Sequence, residues 1–592
     1  MGISARSRIG VAGLATVAIA LLVAGCTGGS APPKPKGSPG NDINPVSYSH
    51  VHTGGTLRYP IADPIANFNR YTPDGANAGT EAVAAATLPS LFTIDGKNAF
   101  VHDPDYLTGE PTVAAAPAQT ITYNLNPKAT WSDGTPISYR DFAAQWQALR
   151  GTNPSFAIVA PADYTDIASV ARGASDQQVV VTMKPGIADG DWRGLFSPLY
   201  PASAMSTATA FNTGWKSAAP ISAGPFMYAA SSAPTSNVSP SSGVPANGSV
   251  SGDAAPSAGE QTYTLVRNPH WWGRTAKLDS IDFTVEATPA VAAAALAAGR
   301  IDVLDVGTDA ATYAHVAQLP GVAIHRASGP DIRDITLNGS RAPLNDLALR
   351  RAIAMGIDRN AIAKNELAPL GITTAAAPGS NIFPSGQVGY KDNAGALGTY
   401  NPTAAGTALT ADGWIDNPTT GTRTKNGQTL TITFVVPSKT PANLSDAQLV
   451  AQQLARVDVK VAIKQVPAQS FFSGYIAPGS FDMTVFSWLG GNFPITDASV
   501  IYQPQAPGGD WARNYSRVSV PELSTLFRQA TSDLDAASAD AAANQADVLI
   551  WQNVMTLPLY RTPQVWATRA KLANFGAFGY ATPDWTAIGF TG

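Results

Sequence analysis

A strand, a helix and a second strand follow one another between residues 430 and 463. Apolar and polar residues alternate at 430–436, apolar residues recur at helical spacing at 444–454, and the alternation returns at 457–463. A period of two residues is typical of a half-buried strand, and a period near 3.6 is typical of an amphipathic helix. Two strands joined through a helix pair in parallel with a right-handed crossover. The segment therefore predicts a βαβ unit and an α/β fold.

Similar elements recur along the chain, so we expect α/β structure in more than one lobe. A chain of 592 residues is also too long for a single hydrophobic core. The further predicted elements are a strand at 121–125, a turn at Asp133-Gly134, a helix that begins at Ser138 with Asp141 as its capping partner, and a helical stretch from a capping box at Ser519–Glu522 to about Asn553, with a break near 533–535.

Composition excludes several classes of function. Charged residues make up 14% of the chain, the net charge is -4 and the two signs are intermixed, so no nucleic-acid partner is expected. The single cysteine, Cys26, excludes internal disulfides and zinc sites built on paired cysteines. We predict no cofactor and no metal. An exported hydrolase is the weaker alternative, because the sequence holds six histidines and neither a G-x-S-x-G nor an H-E-x-x-H motif.

The N-terminus has the order of an export signal. Arg6 and Arg8 precede an apolar run at 9–23 that ends in small residues, and the run is short for a membrane-spanning anchor. The sequence Val23-Ala24-Gly25-Cys26 resembles the lipobox of bacterial lipoproteins, which implies cleavage before Cys26 and acylation of its thiol. We therefore predict a signal peptide at 1–25 and a protein held by lipid on the outer face of the cell membrane.

Two segments rich in Gly, Ser and Pro flank or interrupt the predicted fold. Residues 26–56 predict a disordered tether between the lipid anchor and the folded part. Residues 231–260 lie between two segments of ordered appearance, and predict a low-complexity surface insertion rather than a domain boundary.

A series of short blocks resembles extracellular solute-binding protein family 5, the oligopeptide- and dipeptide-binding proteins of ABC importers. The blocks keep the order and spacing of the family over about residues 57–590. They are Trp131-Ser-Asp-Gly-Thr-Pro136 with Asp141-Phe142, Gly224-Pro-Phe226, Leu265-Val-Arg-Asn-Pro-His-Trp-Trp272, Gly299-Arg-Ile-Asp302, Leu337-Asn338 through Pro343, Leu349-Arg-Arg-Ala-Ile353, Ile357-Asp-Arg359, Tyr400-Asn-Pro402 with Gly413-Trp414, and Leu557-Pro-Leu-Tyr560.

The resemblance implies an α/β, two-lobed fold like that of periplasmic binding proteins, of class II and the peptide-binding cluster, with an extra subdomain in lobe I. Lobe I is expected at 57–333 plus 560–592 and lobe II at 334–559, with crossings near 334–337 and 559–562. The lobes would close on a peptide or peptide-like ligand and deliver it to the permease and ATPase subunits of the importer. A monomer is expected. The alternatives are a non-peptide ligand or a role in cell-envelope regulation on the same fold.

The same resemblance places the ligand cleft at 488–497. The family carries an Asp in a W-x-x-D segment that receives the α-ammonium of the peptide, and Gly491 stands at that position here. An unpaired buried ammonium is costly. Either Asp497 replaces the missing acid, or the ligand lacks a free amino terminus, and we lean to the second reading. A one-residue slip, with Asn492 or Asp497 as the anchor, is a third. The predicted cleft residues are Trp488, Gly490, Gly491, Asn492, Phe493 and Asp497.

Simpler structural roles are also expected for several residues in these blocks. Trp131, Trp146, Trp271 and Trp272 are predicted to pack in the core. Asp358 is interpreted as a helix cap, and the Arg350-Arg351 pair as a solvated or salt-bridged helix face.

Overall fold

A computed structural model of the chain describes residues 40–159, 162–216, 220–229 and 261–592. The predicted signal peptide at 1–25, Cys26, the first part of the predicted tether at 26–39, and the predicted insertion at 231–260 lie outside these ranges. Within the described ranges no helix combines the length and the apolar character needed to cross a membrane.

The helices are distributed along the whole described chain. Their bounds are α1 Ala78–Thr87, α2 Tyr139–Leu149, α3 Ala202–Met205, α4 Ala208–Thr213, α5 Pro289–Ala297, α6 Ala310–Val316, α7 Leu347–Gly356, α8 Arg359–Leu367, α9 Pro402–Ala411, α10 Pro441–Ala455, α11 Pro494–Ile501, α12 Pro521–Ser532 and α13 Ala536–Asn553.

The strands occur singly or in runs between these helices. Their bounds are β1 Thr56–Ile61, β2 Phe92–Ile94, β3 Phe100–His102, β4 Thr112–Ala114, β5 Thr120–Asn124, β6 Ile167–Arg172, β7 Gln178–Met183, β8 Phe226–Tyr228, β9 Thr262–Arg267, β10 Ser280–Val285, β11 Val303–Asp305, β12 Val322–Leu337, β13 Ile415–Asn417, β14 Thr422–Lys425, β15 Gln428–Thr429, β16 Thr431–Pro437, β17 Lys460–Val466, β18 Met483–Trp488, β19 Thr556–Arg569, β20 Leu572–Ala573 and β21 Gly589–Phe590.

The largest sheet has the strand order β11-β19-β12-β18-β16-β17. Strands β16 and β17 run parallel, with Ile432 opposite Val461, and α10 connects them. The predicted βαβ unit is therefore confirmed. Ile432 and Phe434 of β16 are buried together with Leu454 of α10 in one core, whereas β17 is the edge strand and leaves Lys460 and Lys464 exposed.

Two long strands, β12 and β19, run antiparallel through this sheet. Their pairing extends from Val322 opposite Arg569 to Thr336 opposite Thr556, and it is interrupted between Ser328 and Ile332. The predicted crossings near 334–337 and 559–562 lie within these strands. The lobe bounds at 333/334 and 559/560 remain a prediction.

Smaller sheets complete the architecture. One has the order β1-β10-β9-β8, another β4-β5-β7-β6, and a third β13-β14-β15. Strands β2 and β3, and strands β20 and β21, form separate pairs. In the sheet that contains β5, the predicted strand residues Ile121 and Tyr123 are fully buried, as their alternation indicated.

The buried side chains separate into two large cores. The first joins residues between Leu57 and Val303 to the C-terminal residues 572–588. The second joins residues between Ile335 and Ala567 to the helices α5 and α6. These helices precede the predicted boundary at 333, yet their apolar side chains pack with the second core.

Most of the predicted helix ends are confirmed. Ser138 and Asp141 form the predicted capping box of α2, Asp358 caps α8, and the predicted break separates α12 from α13. The capping box at Ser519 is wrong, because Val520 is the N-cap residue of α12 without a side-chain hydrogen bond. The Ser519 hydroxyl accepts a bond from the backbone N–H of Gln505 instead, at 3.3 Å.

Arg350 does not lie on a solvated helix face. Its side chain is 4% exposed, and its guanidinium donates to the carbonyl oxygens of Leu344 and Asn553. The prediction for this residue is wrong because the C-terminal end of α13, distant in sequence, brings an unpaired carbonyl to it. Of the tryptophans predicted to pack, Trp131 and Trp146 are buried, and Trp271 and Trp272 are half-buried against the first core.

The described part of the predicted tether, residues 40–56, packs against the folded body. Asp42 forms a β-bridge with Ala577, Val51 is buried, and the Tyr48 hydroxyl donates to the Thr275 carbonyl oxygen at 2.7 Å. This part of the segment is ordered, which corrects the expected disorder. The backbone pairing with the C-terminal region could not be read from the local composition.

Candidate functional site

The predicted cleft residues follow the end of β18. Trp488, its last residue, pairs with Ile332 of the crossing strand β12 and stacks on Tyr515, with ring centroids 5.4 Å apart and an angle of 10° between the rings. The loop 489–493 comes next and leads into α11. Leu489 in this loop is 84% exposed, so the loop carries an apolar side chain in solvent directly beside the crossing strands.

Two carboxylates hold the backbone of the diglycine in this loop. Asp331 accepts a hydrogen bond from the Gly490 N–H at 3.0 Å, and Asp497 accepts one from the Gly491 N–H at 2.7 Å. A Cβ atom at position 490 would lie 2.3 Å from the Pro330 carbonyl oxygen, which explains the glycine there. A Cβ atom at position 491 would lie 3.5 Å from the Asp497 carboxylate. Asp497 therefore fills the space beside the position where the family carries its Asp.

Arg561 of β19 lies against the same loop. Its Nη1 donates to the Pro330 carbonyl oxygen and its Nη2 to the Ile382 carbonyl oxygen, both at 2.8 Å. Its Nε is buried and has no hydrogen-bond partner among the described residues. Burial lowers the pKa of Arg561, and the nearby Asp497 and Asp331 oppose that change.

Burial and neighbouring groups also shift the pKa of Asp497. Burial raises the pKa of its carboxyl above the ordinary value, while the hydrogen bond from Gly491 and the charge of Arg561 lower it. Removal from water favours the neutral form of an acid, so a cation at this place would restore the charged form.

Asp497, Arg561 and the diglycine line one small cavity at the crossing strands. The space that it leaves for solvent is about 20 Å³, which is room for about one water molecule. Its wall includes Pro330, Trp488, Gly491, Asp497, Arg561 and Tyr580. The cavity thus joins both crossing strands, the loop after β18 and the C-terminal segment. Trp488, Gly490, Gly491 and Asp497 lie together on its wall, and their role in ligand binding stays a prediction.

Asn492 and Phe493 face a different surface, where they contact Asn98 and Phe100. The Asn98 side-chain amide donates to the Asn492 carbonyl oxygen at 2.9 Å, and Phe493 stacks on Phe100 with ring centroids 5.1 Å apart. The Thr496 hydroxyl donates to the Asp191 carboxylate. Asn492 and Phe493 therefore contact residues 98–100 and do not line the cavity at the crossing strands.

Sequence reasoning missed Asp331, Arg561 and Tyr580. The sequence pointed to two of them. Asp331 immediately precedes Ile332, where the second paired stretch of β12 begins, and Arg561 directly follows the Leu557–Tyr560 block. Residues at predicted lobe crossings lie at the base of the cleft. No group of three or more His, Cys, Asp or Glu side chains suited to a metal ion occurs within the described ranges.

Known proteins resemble this chain in sequence. The model of the family described as bacterial extracellular solute-binding proteins, family 5 Middle, matches residues 110–239 and 256–509. The oligopeptide-binding protein OppA of Mycobacterium tuberculosis is 37% identical over 556 residues, 93% of this chain and 87% of that protein. A probable monoacyl phosphatidylinositol tetramannoside-binding protein, LpqW, of the same species is 25% identical over 476 residues, 73% of this chain and 68% of that protein.

Solved structures share the fold. The periplasmic EDTA-binding protein EppA superposes with a TM-score of 0.73 at 23% identity, covering 93% of this chain and 98% of that chain. The oligopeptide-binding protein AppA from Bacillus subtilis, in complex with a nonapeptide, superposes with a TM-score of 0.61 at 17% identity, covering 91% and 99%. The predicted α/β fold of two lobes is confirmed. On the family match and the extent of the OppA similarity, the chain belongs to the bacterial extracellular solute-binding proteins of family 5.

Proposed function

We propose that the chain is the substrate-binding component of a peptide-type ABC importer, which captures peptides or peptide-like ligands between its lobes and delivers them to a permease and its ATPase. The proposal is supported by the family and by the similarity to proteins named as oligopeptide-binding. The role is binding without turnover, and the protein acts as a monomer.

The cavity takes the amino terminus of the ligand at Asp497. The observation that carries this assignment is the hydrogen bond of 2.7 Å that holds the Asp497 carboxylate against Gly491. It puts an acid next to the position that lacks one in the sequence, so it favours the replacement of the missing Asp over a ligand without a free amine. Asp331 adds a second negative charge on the other side of the diglycine, and Arg561 offsets one of the two.

Calorimetric titration with alanine peptides tests the assignment. Peptides of three, five and nine residues are compared with their N-acetylated forms, and the tightest-binding length is used for variants. N-acetylation and Asp497→Asn should each weaken binding by about tenfold to a hundredfold, since each leaves one charge of a pair without its partner. Asp416→Asn, an exposed carboxylate of β13, is the control and should bind as the wild type does.

The alternatives give different results in the same titration. Equal or tighter binding of the acetylated peptides would favour an N-blocked ligand. Absence of binding for every alanine peptide would contradict the peptide proposal and favour a non-peptide ligand. Co-purification with a permease, together with a growth defect on peptides as sole nitrogen source after deletion of the gene, would separate transport from envelope regulation.

We also infer that the protein is held on the outer face of the cell membrane through a lipid on Cys26. The support is the order of charged, apolar and small residues that ends at Val23-Ala-Gly-Cys26. Detergent phase partition checks it: the wild type should enter the detergent phase, and Cys26→Ser should remain in the aqueous phase. Equal partition of the two forms would contradict the lipid anchor.

A further inference from the structure

A second cavity lies between the hairpin of β2 and β3, the loop that follows it at 103–106, and the C-terminal residues 582–586. It leaves about 560 Å³ for solvent, which is within the range of small-ligand sites. Trp271 and Arg274 also belong to its wall. Among the described residues, its wall shares none with the cavity at the crossing strands. The two cavities are therefore separate.

Negative charge dominates the wall of this second cavity. Its described residues carry four carboxylates, of Asp95, Asp103, Asp105 and Asp584, and a single cation, Arg274. Arg274 forms an ion pair with Asp584, whose side chain is 55% exposed. Asp103 and Asp105 are half-buried, and within the described ranges no side chain pairs with either of them. One cation therefore leaves most of this negative charge without a partner.

The pKa values of the two half-buried acids reflect this crowding. Burial raises the pKa of Asp103 from the ordinary value of 3.8 to about 6, and the charges of Asp105 and Asp584 add to the rise. Burial and the charge of Asp584 also raise the pKa of Asp105, although Arg274 opposes the change. A cation in the cavity would favour the charged form of both acids.

Aromatic side chains form another part of the same wall. They are Tyr106, Trp271 and Trp585. Trp271 is half-buried, and its ring centroid lies 5.9 Å from that of Tyr106. An aromatic ring attracts a cation through its face and also packs against an apolar chain. A metal ion would need several acids at one point, and no such group occurs within the described ranges. The wall therefore suits an organic cation better than a metal ion.

We propose that this second cavity binds an organic cation with N–H donors, a primary ammonium or a guanidinium group on a short alkyl chain. The N–H groups donate to the carboxylates of Asp103 and Asp105, and hydrogen bonds between charged partners are the stronger kind. The alkyl chain packs against the rings of Tyr106 and Trp271. A free amine and a basic side chain of a peptide share this chemistry. The site goes beyond the proposed function, because it lies apart from the cavity at the crossing strands.

Calorimetry on the whole wild-type chain tests the class of ligand, so this experiment does not depend on how a variant folds. Cadaverine and agmatine should bind. Pentanediol should give no heat because it is uncharged, and tetramethylammonium should bind about tenfold more weakly than cadaverine because it has no N–H donor. Absence of heat from both cadaverine and agmatine, or equal affinity for either control compound, would overturn the proposal.

Variants test whether the cation lies in this cavity. Asp105→Asn removes one charge and keeps the shape of the side chain, and it should weaken cadaverine binding about tenfold. Ala85→Phe, at an exposed site of α1 on the cavity wall, fills the cavity without changing a charge and should weaken binding at least as much. Asp416→Asn and Ala541→Phe, at exposed sites of β13 and α13, are the matched controls and should bind as the wild type does. Wild-type affinity in Asp105→Asn or in Ala85→Phe would place the cation elsewhere and contradict the site.

Peptides distinguish the two sources of the cation. Penta-alanine and the same peptide with a central lysine are titrated with and without saturating cadaverine. If the lysine peptide binds more tightly and cadaverine removes the difference, the cavity takes a basic side chain of a peptide. If the two peptides bind alike and cadaverine changes neither, the cavity takes a free amine; both results support the site. Because cadaverine is titrated alone, absence of binding for every peptide would contradict the proposed function and leave the cation site standing.

Discussion

Asp334 is a buried acid, and the effect of its ionisation on the free energy of unfolding can be measured. It lies on the crossing strand β12 and is 1% exposed. One carboxylate oxygen accepts a bond from the Thr336 hydroxyl at 3.0 Å, and the other has no partner among the described residues. Burial raises the pKa of Asp334 from the ordinary value of 3.8 to about 7, although the Thr336 bond and the charges of Arg333 and Arg561 oppose it.

The sign of the pH dependence follows from that raised value. Between pH 3.8 and about 7 the folded protein keeps a proton on Asp334 that the unfolded chain releases, so stability falls as the pH rises through this window. Each pH unit corresponds to about 1.4 kcal/mol. The raised pKa of Asp334 should therefore lower the free energy of unfolding by about 2 kcal/mol at pH 5, where the folded protein keeps the proton, and by about 4 kcal/mol at pH 8, where the acid is charged.

Asp334→Asn removes this cost, because asparagine is neutral and has nearly the same shape as the protonated acid. Urea unfolding followed by tryptophan fluorescence should show that the variant is more stable than the wild type. The difference in free energy of unfolding between the two should be about 2 kcal/mol larger at pH 8 than at pH 5. Asp416→Asn, at an exposed site of β13, should follow the wild-type curve. A difference between Asp334→Asn and wild type that does not change with pH would refute the reasoning.

Other substitutions test the closure of the lobes and the packing of the helices. Gly194→Val should weaken peptide binding about tenfold in calorimetry, because a Cβ atom there would lie 2.7 Å from the Phe493 ring. Gly109→Val is the control and should bind as the wild type does, because no atom lies within 4 Å of the added Cβ. Ser138→Ala should lower the thermal midpoint through a loss of about 1 kcal/mol, since α2 loses its cap. Arg350→Met should lower the free energy of unfolding in urea by about 3 kcal/mol, because the Leu344 and Asn553 carbonyls lose their donor. An unchanged midpoint in Ser138→Ala or in Arg350→Met would contradict the role given to that residue.

Periodicity along the sequence determined the local elements. Alternation at 430–436 and 457–463 predicted β16 and β17, and the helical spacing of apolar residues at 444–454 predicted α10. The pair of Ser138 and Asp141 predicted the start of α2. The ordered blocks over 57–590 predicted the family and the two-lobed fold. These signals could be read because each depends on residues within a few turns or a few strand positions of one another.

Only the tertiary structure decided how the site is built. Asp331, Gly490, Gly491, Asp497 and Arg561 come from three separate stretches, and they meet because the crossing strands β12 and β19 pair beside β18. Nothing in the local pattern shows that Asp497 turns back onto Gly491, or that α13 ends above Arg350. Such contacts depend on the packing of distant segments, which sequence periodicity does not encode.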